Sequence, residues 1–320
     1  MKKLFLLAVF SLTSCKDTPS KPDSPPPPPE VIEPPPRVDQ PFNLETYNGI
    51  IAFGLGHPGQ SDEDILAFVN AAMGRGWNTL QICAETEFWS GPGYPTKSRD
   101  PERLRYVLDL IARVPGAQVA LVGNCTLKRQ VPLSEQFAWA EQVAKVASQF
   151  QNIAIFTHNE FDSCRGRVDW GGSNEYCPGK QDIAAHIRMY KSYGFSVVTA
   201  DDSVRPRNSA DSEAKTFTFR LSNVGAHPAS FHPDREKNGQ PWDPDVKYLT
   251  KLAKYNGLFI ISEPVAWQDY SGRCNGLRTC NSDRIEKYIS ACAAVPECRW
   301  TFHCENCLAG EIPTWIPEAR

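Results

Sequence analysis

Two glutamates stand where short apolar runs end. Glu160 closes Phe156-Thr157-His158-Asn159-Glu160, and Glu263 closes Phe259-Ile260-Ile261-Ser262-Glu263 just ahead of Pro264. Two carboxyl groups facing one cleft can break a glycosidic bond: one protonates the departing oxygen while the other attacks the anomeric carbon from about 5 Å away. Residues this far apart in the chain meet only if the fold delivers both strand ends to the same place. A barrel of parallel strands does so, because all of its C-terminal strand ends open into one mouth.

From Phe42 onward the chain alternates short β-branched or apolar runs with longer helical patterns, the signature of βα units around a parallel sheet. Strands are predicted at Gly49 to Gly54, Asn78 to Cys83, Gln118 to Gly123, Asn152 to Thr157, Ser196 to Ala200, Ala229 to His232, Leu258 to Glu263 and Arg299 to His303. This predicts a (β/α)8 TIM barrel over residues 42–320, with Glu160 at the fourth strand end and Glu263 at the seventh. Helix starts are read at Ser61-Asp62-Glu63-Asp64, Asp100-Pro101-Glu102, Ser134-Glu135, Asp243-Pro244 and Ser282-Asp283, with a further helix from Asp182 to Tyr190. Helical periodicity is poor from Ser203 to Asn223, and Pro313 and Pro317 interrupt the tail after His303, so the last helix is expected to be short or missing. A doubly wound open sheet is the competing architecture. Gly54-Leu55-Gly56-His57-Pro58-Gly59 has glycines but lacks the phosphate-loop spacing before a helix, and it reads as a tight turn.

With Asn159-Glu160 ending the fourth strand and Glu263 the seventh, the chain resembles the retaining (β/α)8 glycoside hydrolases of clan A, which include the family 5 cellulases and mannanases. The resemblance implies Glu160 as general acid/base, Glu263 as nucleophile, and Asn159 as a donor to the sugar hydroxyl beside the reacting carbon. It implies a polysaccharide or oligosaccharide substrate and no cofactor. It covers the layout of the whole domain but only these few residues in motif. Phe161 stands where family 5 members often have proline, Gln81 where an arginine is common, and no obvious tyrosine ends the sixth strand.

Sugar sites also use flat aromatic faces, and several aromatics follow predicted strands on the mouth side. Trp89 follows the second strand, Trp170 the fourth, Trp242 the sixth and Trp267 the seventh. His232, ending the sixth strand, is placed to hydrogen-bond toward Glu263. Glu85 and Glu87 after the second strand, and Asp201 and Asp202 after the fifth, are further polar groups for the mouth. His57, His158, His232 and His303 raise the question of a metal. No His-x-His marks the first strand and no His-Glu-x-x-His occurs, so no metal site is expected. The alternative to an enzyme is a non-catalytic carbohydrate-binding or surface-interaction lipoprotein on a glycosidase-like barrel, since fold alone does not fix function.

The N-terminus bears on location. Met1-Lys2-Lys3 precedes an apolar run from Leu4 to Leu12 that is too short to span a bilayer, and Leu12-Thr13-Ser14-Cys15 resembles a lipobox. Residues 1–14 are therefore expected to be a lipoprotein signal peptide, with lipidation at Cys15 anchoring the exported protein to a membrane. Lys16 rather than Asp after that cysteine favours the outer membrane. Residues 15–41 hold the lipidated cysteine and a proline-rich linker, including Pro25 to Pro29, a stiff spacer reaching roughly 75 Å at about 3.1 Å per residue.

The formal net charge is -3 and no Lys/Arg run occurs, which argues against nucleic acid as a partner; a monomer is expected. Setting Cys15 aside, the 11 cysteines leave an even number, which reads as disulfides in an exported protein. Short spacings suggest Cys164 with Cys177, Cys274 with Cys280 and Cys292 with Cys298. Cys83 and Cys125, after the neighbouring second and third strands, are placed where they could also meet, and the sequence leaves the connectivity open. Cys304 and Cys307 read as a structural bridge in preference to half a zinc site.

Overall fold

The structure is a computed structural model. It describes residues 40–52, 54–57, 59–85, 99–125, 132–158, 178–202, 225–231, 236–237, 240–241, 245–262, 282–303 and 318–319. A short 3-10 turn, Leu44–Thr46, leads into β1 (Gly49–Ile51), followed by α1 (Asp62–Gly74), β2 (Thr79–Cys83), α2 (Pro101–Ala112), β3 (Gln118–Asn124), α3 (Leu133–Ala147), β4 (Ile153–His158) and α4 (Lys180–Ser192). Then come β5 (Val198–Thr199), β6 (Asp201–Asp202), β7 (Ala229–Phe231), the small hairpin β8 (Glu236–Lys237) and β9 (Gln240–Pro241), α5 (Val246–Asn256), β10 (Phe259–Ser262), α6 (Ser282–Ala293) and β11 (Cys298–His303).

Every pairing in the main sheet is parallel, in the order β5-β4-β3-β2-β1-β11-β10-β7-β6. The two ends of that order, β5 and β6, are separated in sequence by Ala200 alone. Val198–Thr199 bonds to β4 and Asp201–Asp202 bonds to β7, so together they make the fifth stave and bring the sheet round on itself. The result is eight parallel staves in a nearly closed barrel with helices between them, a (β/α)8 TIM barrel. Asp201 and Asp202, expected to follow the fifth strand, belong to it through their backbone.

Residues alternate between two faces, and both faces are buried, which is why the strands read as near-continuous apolar runs. Leu80, Ile82, Val119, Leu121, Ile153, Ile155 and Ile261 face outward into the core shared with the helices. Ile51, Cys83, Ala120, Val122, Phe156 and Ile260 fill the barrel interior with Tyr47. Tyr47 plugs the N-terminal pole, with its hydroxyl 2.6 Å from Thr301 Oγ1. A Cβ on Gly49 would meet Thr301 Oγ1 at 2.7 Å and the Tyr47 ring at 2.8 Å, so the plug fits only because that position has no side chain.

The helices begin where local chemistry caps them. Ser61 and Asp64 form a capping box on α1, and the Asp100 carboxylate accepts the N–H groups of Glu102 and Arg103 ahead of Pro101 on α2. Two starts differ from expectation. α3 begins at Leu133 after Pro132, which places Ser134 inside the helix. α5 is capped by Asp245, whose side chain accepts Tyr248 N–H at 2.8 Å, in place of Asp243-Pro244. Residues 203–224 and 304–317 lie outside the described residues, and with them the fifth crossover and the expected short or missing last helix.

Candidate functional site

The barrel mouth is formed by the C-terminal ends of the staves, and those of β1 to β4 are held by side chains of the surrounding helices and connections. Beyond β1, the 54–60 turn is gripped by Arg103 of α2. Its Nε donates to Gly56 O at 2.9 Å, and its Nη2 donates to His57 O at 3.1 Å and Gln60 O at 3.2 Å. Burial, helped by the Arg103 charge, lowers the pKa of His57 below the ordinary 6.5.

Beyond β2, the Glu85 side chain is buried. Its Oε2 accepts the backbone N–H of Cys125 at 3.2 Å, and its Oε1 lies 3.5 Å from Arg99 Nη2. Arg99 also donates to Glu135 O at 3.3 Å and sits 5.9 Å from the centre of the Trp139 ring. Trp139 in turn donates its indole N–H to Gly123 O at 3.1 Å. Glu85 therefore ties β2 to the end of β3, and through Arg99 to α3. The Cys83–Cys125 disulfide makes the same strand-to-strand link covalently, one of the meetings that neighbouring strand ends allow.

At the end of β3 stands Asn124, in register with His158 at the end of β4. The His158 ring meets His186 of α4 edge-on at 4.7 Å, and Phe137 of α3 also packs edge-on against His186 at 4.8 Å. His186 Nδ1–H donates to Asp182 O at 2.8 Å. Burial nevertheless lowers its pKa and keeps the ring neutral around pH 7. One turn further along α4, the Tyr190 phenol is fully buried. Burial first, and the Glu85 charge second, push its pKa upward.

The expected catalytic and sugar-contacting residues are reached through these strands. Asn159 and Glu160 are the two residues after His158, Glu263 follows Ser262, and His232 follows Phe231. Asn159, Glu160, His232 and Glu263 themselves lie outside the described residues, as do Trp89, Trp170, Trp242, Trp267 and Cys15. The strands that lead into Asn159-Glu160, His232 and Glu263, namely β4, β7 and β10, are the fourth, sixth and seventh staves of one barrel. Among the described residues, no group of three or more His, Cys, Asp or Glu is arranged to hold a metal ion.

Sequence reasoning did not single out Arg99, Asn124, His186 or Tyr190. Asn124 had a legible signal, because it continues the inward series Gln118, Ala120, Val122 to the strand tip. The other three lie on helices or a long connection, and no local pattern marks them.

A cleft of about 280 Å³ opens at the opposite, N-terminal pole, beside the Cys292–Cys298 disulfide. Its cation, Arg299, is committed to the carbonyls of Leu44, Pro296 and Cys298 and to Glu45, so the cleft reads as structural.

No protein-family model and no curated protein matches the chain. Solved structures do match in fold. A glycoside hydrolase family 5 protein from Bacteroides vulgatus superposes with a TM-score of 0.55 at 14% identity over 85% of this chain and 61% of its own. A second structure, described as a glycoside hydrolase, gives a TM-score of 0.53 at 12% identity over 85% of this chain and 64% of its own. The chain thus spans less than two thirds of the length of either. An aldolase, QR15, matches with a TM-score of 0.45 at 12% identity over 81% of this chain and 91% of its own. At 12% to 14% identity the likeness to the two glycoside hydrolases supports the barrel alone and leaves the chemistry to be argued from residues.

Proposed function

We propose that the chain is a retaining glycoside hydrolase acting on a polysaccharide or oligosaccharide, with Glu160 as acid/base and Glu263 as nucleophile. The observation that carries this reading is that the strands leading into Asn159-Glu160 and into Glu263 are the fourth and seventh staves of a single parallel barrel, whose C-terminal ends share one mouth. The fold likeness to glycoside hydrolases supports it.

In the first step Glu160 gives its proton to the glycosidic oxygen while a Glu263 oxygen bonds to the anomeric carbon, and the alcohol leaves. In the second, Glu160 takes a proton from water, the water oxygen bonds to that carbon, and Glu263 departs as carboxylate. The sequence demands opposite protonation states of two like groups. Glu160 must hold a proton near neutral pH and Glu263 must be ionised. Asn159 would donate to the hydroxyl beside the reacting carbon, His232 would orient Glu263, and Trp89, Trp170, Trp242 and Trp267 would offer stacking faces. The domain would hang from the outer membrane by a lipid on Cys15 and the proline-rich linker.

The test is a screen of residues 42–320 against β-glucans, mannans, xylans, galactans and peptidoglycan, alongside Glu160→Ala and Glu263→Ala. The reading expects turnover of one glycan class by the wild type and a loss of several orders of magnitude in both variants. Equal turnover by all three proteins would refute it.

A further inference from the structure

We infer that Asn124 is a hydroxyl-binding residue of the barrel mouth, whose buried carboxamide takes a substrate hydroxyl in the complex. The inference rests on the glycosidase reading and deepens it. Asn124 ends β3 on the face that carries Ala120 and Val122, whereas Val119 and Leu121 face the helices. Strand alternation therefore turns it toward the barrel interior. It is fully buried, yet neither its amide nitrogen nor its carbonyl oxygen has a hydrogen-bond partner among the described residues.

A buried carboxamide with both ends unbonded is a costly arrangement, and folded proteins keep such groups where something else satisfies them. Its surroundings are unusually well fixed. Cys125, the next residue, is bonded to Cys83 and donates its N–H to Glu85, and His158 stands beside Asn124 in register. The strand tip is thus braced on both sides while its side chain is left unsatisfied among the described residues. A carboxamide offers two donors and an acceptor, the complement of a hydroxyl group. Its neighbour in register is two residues from Glu160 in the chain, so the hydroxyl it takes would belong to the sugar undergoing reaction.

Two variants separate a binding role from a structural one. Asn124→Leu keeps the branched shape and removes both polar atoms, and Asn124→Ala truncates the side chain. Thermal unfolding, kcat/KM on the glycan that the wild type hydrolyses, and binding of hexasaccharides of β-1,4-linked glucose, mannose and xylose are measured for each. The inference expects Asn124→Leu to unfold at or above the wild-type temperature while kcat/KM falls about 10- to 100-fold. Both variants should also lose the hexasaccharide binding shown by the wild type. A variant that melts lower but keeps wild-type kcat/KM per folded molecule would make Asn124 structural and overturn the inference, as would a wild type that binds no glycan. If Glu160→Ala and Glu263→Ala stay active while the Asn124 variants lose binding, the catalytic assignment falls and the Asn124 site stands.

Discussion

Glu85 and Cys125 lie 40 residues apart in the chain, and the carboxylate of one accepts the backbone N–H of the other at 3.2 Å. This contact ties the second strand end to the third and draws Arg99 toward the mouth at 3.5 Å. A carboxylate committed in this way is not spare for substrate. Glu85, one of the polar groups placed in the mouth by sequence, serves there as a brace.

Removing the brace leaves a buried N–H unpaired and Arg99 without its counter-charge. Glu85→Ala is expected to lower the unfolding free energy by about 2–4 kcal/mol. Glu85→Gln, which keeps an acceptor for Cys125, should cost roughly half as much. Urea titration of both variants checks the ranking, and equal stability of Glu85→Ala and wild type would contradict it.

The two disulfides should differ in their contribution to stability. Cys83–Cys125 closes a loop with a sequence separation of 42, and Cys292–Cys298 one of 6. Loop-closure entropy gives about 4 kcal/mol for the longer and about 2 kcal/mol for the shorter. Replacing each pair by serines and comparing melting temperatures tests this. The Cys83/Cys125 variant should melt lower.

Gly123 and Tyr190 compete for one space. A Cβ at position 123 would clash with the Tyr190 hydroxyl, and that hydroxyl is buried without a partner among the described residues. Gly123→Ala is expected to cost about 1–3 kcal/mol through overpacking. Tyr190→Phe alone should be near neutral, because no hydrogen bond is lost. Combined with Gly123→Ala it should recover part of the cost, giving a coupling well outside additivity in a double-mutant cycle.

His186 sets a direction for stability against pH. Its folded pKa is lowered by burial from the ordinary 6.5, so between the folded value and 6.5 the unfolded chain binds the proton and the folded one does not. Its contribution is therefore present in full above pH 6.5 and declines as the solution is acidified through that value. His57 shifts the same way but is more exposed and contributes less. Melting temperatures from pH 5 to 8 should fall on the acid side, and His186→Phe should flatten part of that slope. An unchanged slope would contradict this account.

Much of the barrel was legible because a parallel stave is buried on both faces. Runs such as Val119-Ala120-Leu121-Val122 and Phe259-Ile260-Ile261 carry no polar alternation to confuse them. Caps were legible where one residue offered itself, as at Ser61 and Asp100. They misled where several did. In Trp242-Asp243-Pro244-Asp245 the second aspartate is the cap, and in Pro132-Leu133-Ser134 the proline precedes the helix while the serine lies within it. Asp201-Asp202 resembled a loop because its side chains are acidic, but its backbone pairs with β7 regardless of side-chain type. The supports behind the mouth were hidden for a different reason. Glu85 with Arg99, and His158 with His186, meet only once helices pack on strands, and such contacts leave no periodic trace in the chain.

The pairing of Glu160 with Glu263 is tested most directly by azide rescue of the two alanine variants on a substrate with a good leaving group. In Glu263→Ala, azide attacks from the vacated nucleophile's face, and the single displacement gives a glycosyl azide of inverted configuration. In Glu160→Ala, azide attacks the glycosyl enzyme from the opposite face, and the second displacement restores the original configuration. The account predicts opposite anomers from the two variants by NMR. The same anomer from both, or hydrolysis at the wild-type rate by either variant without azide, would contradict it.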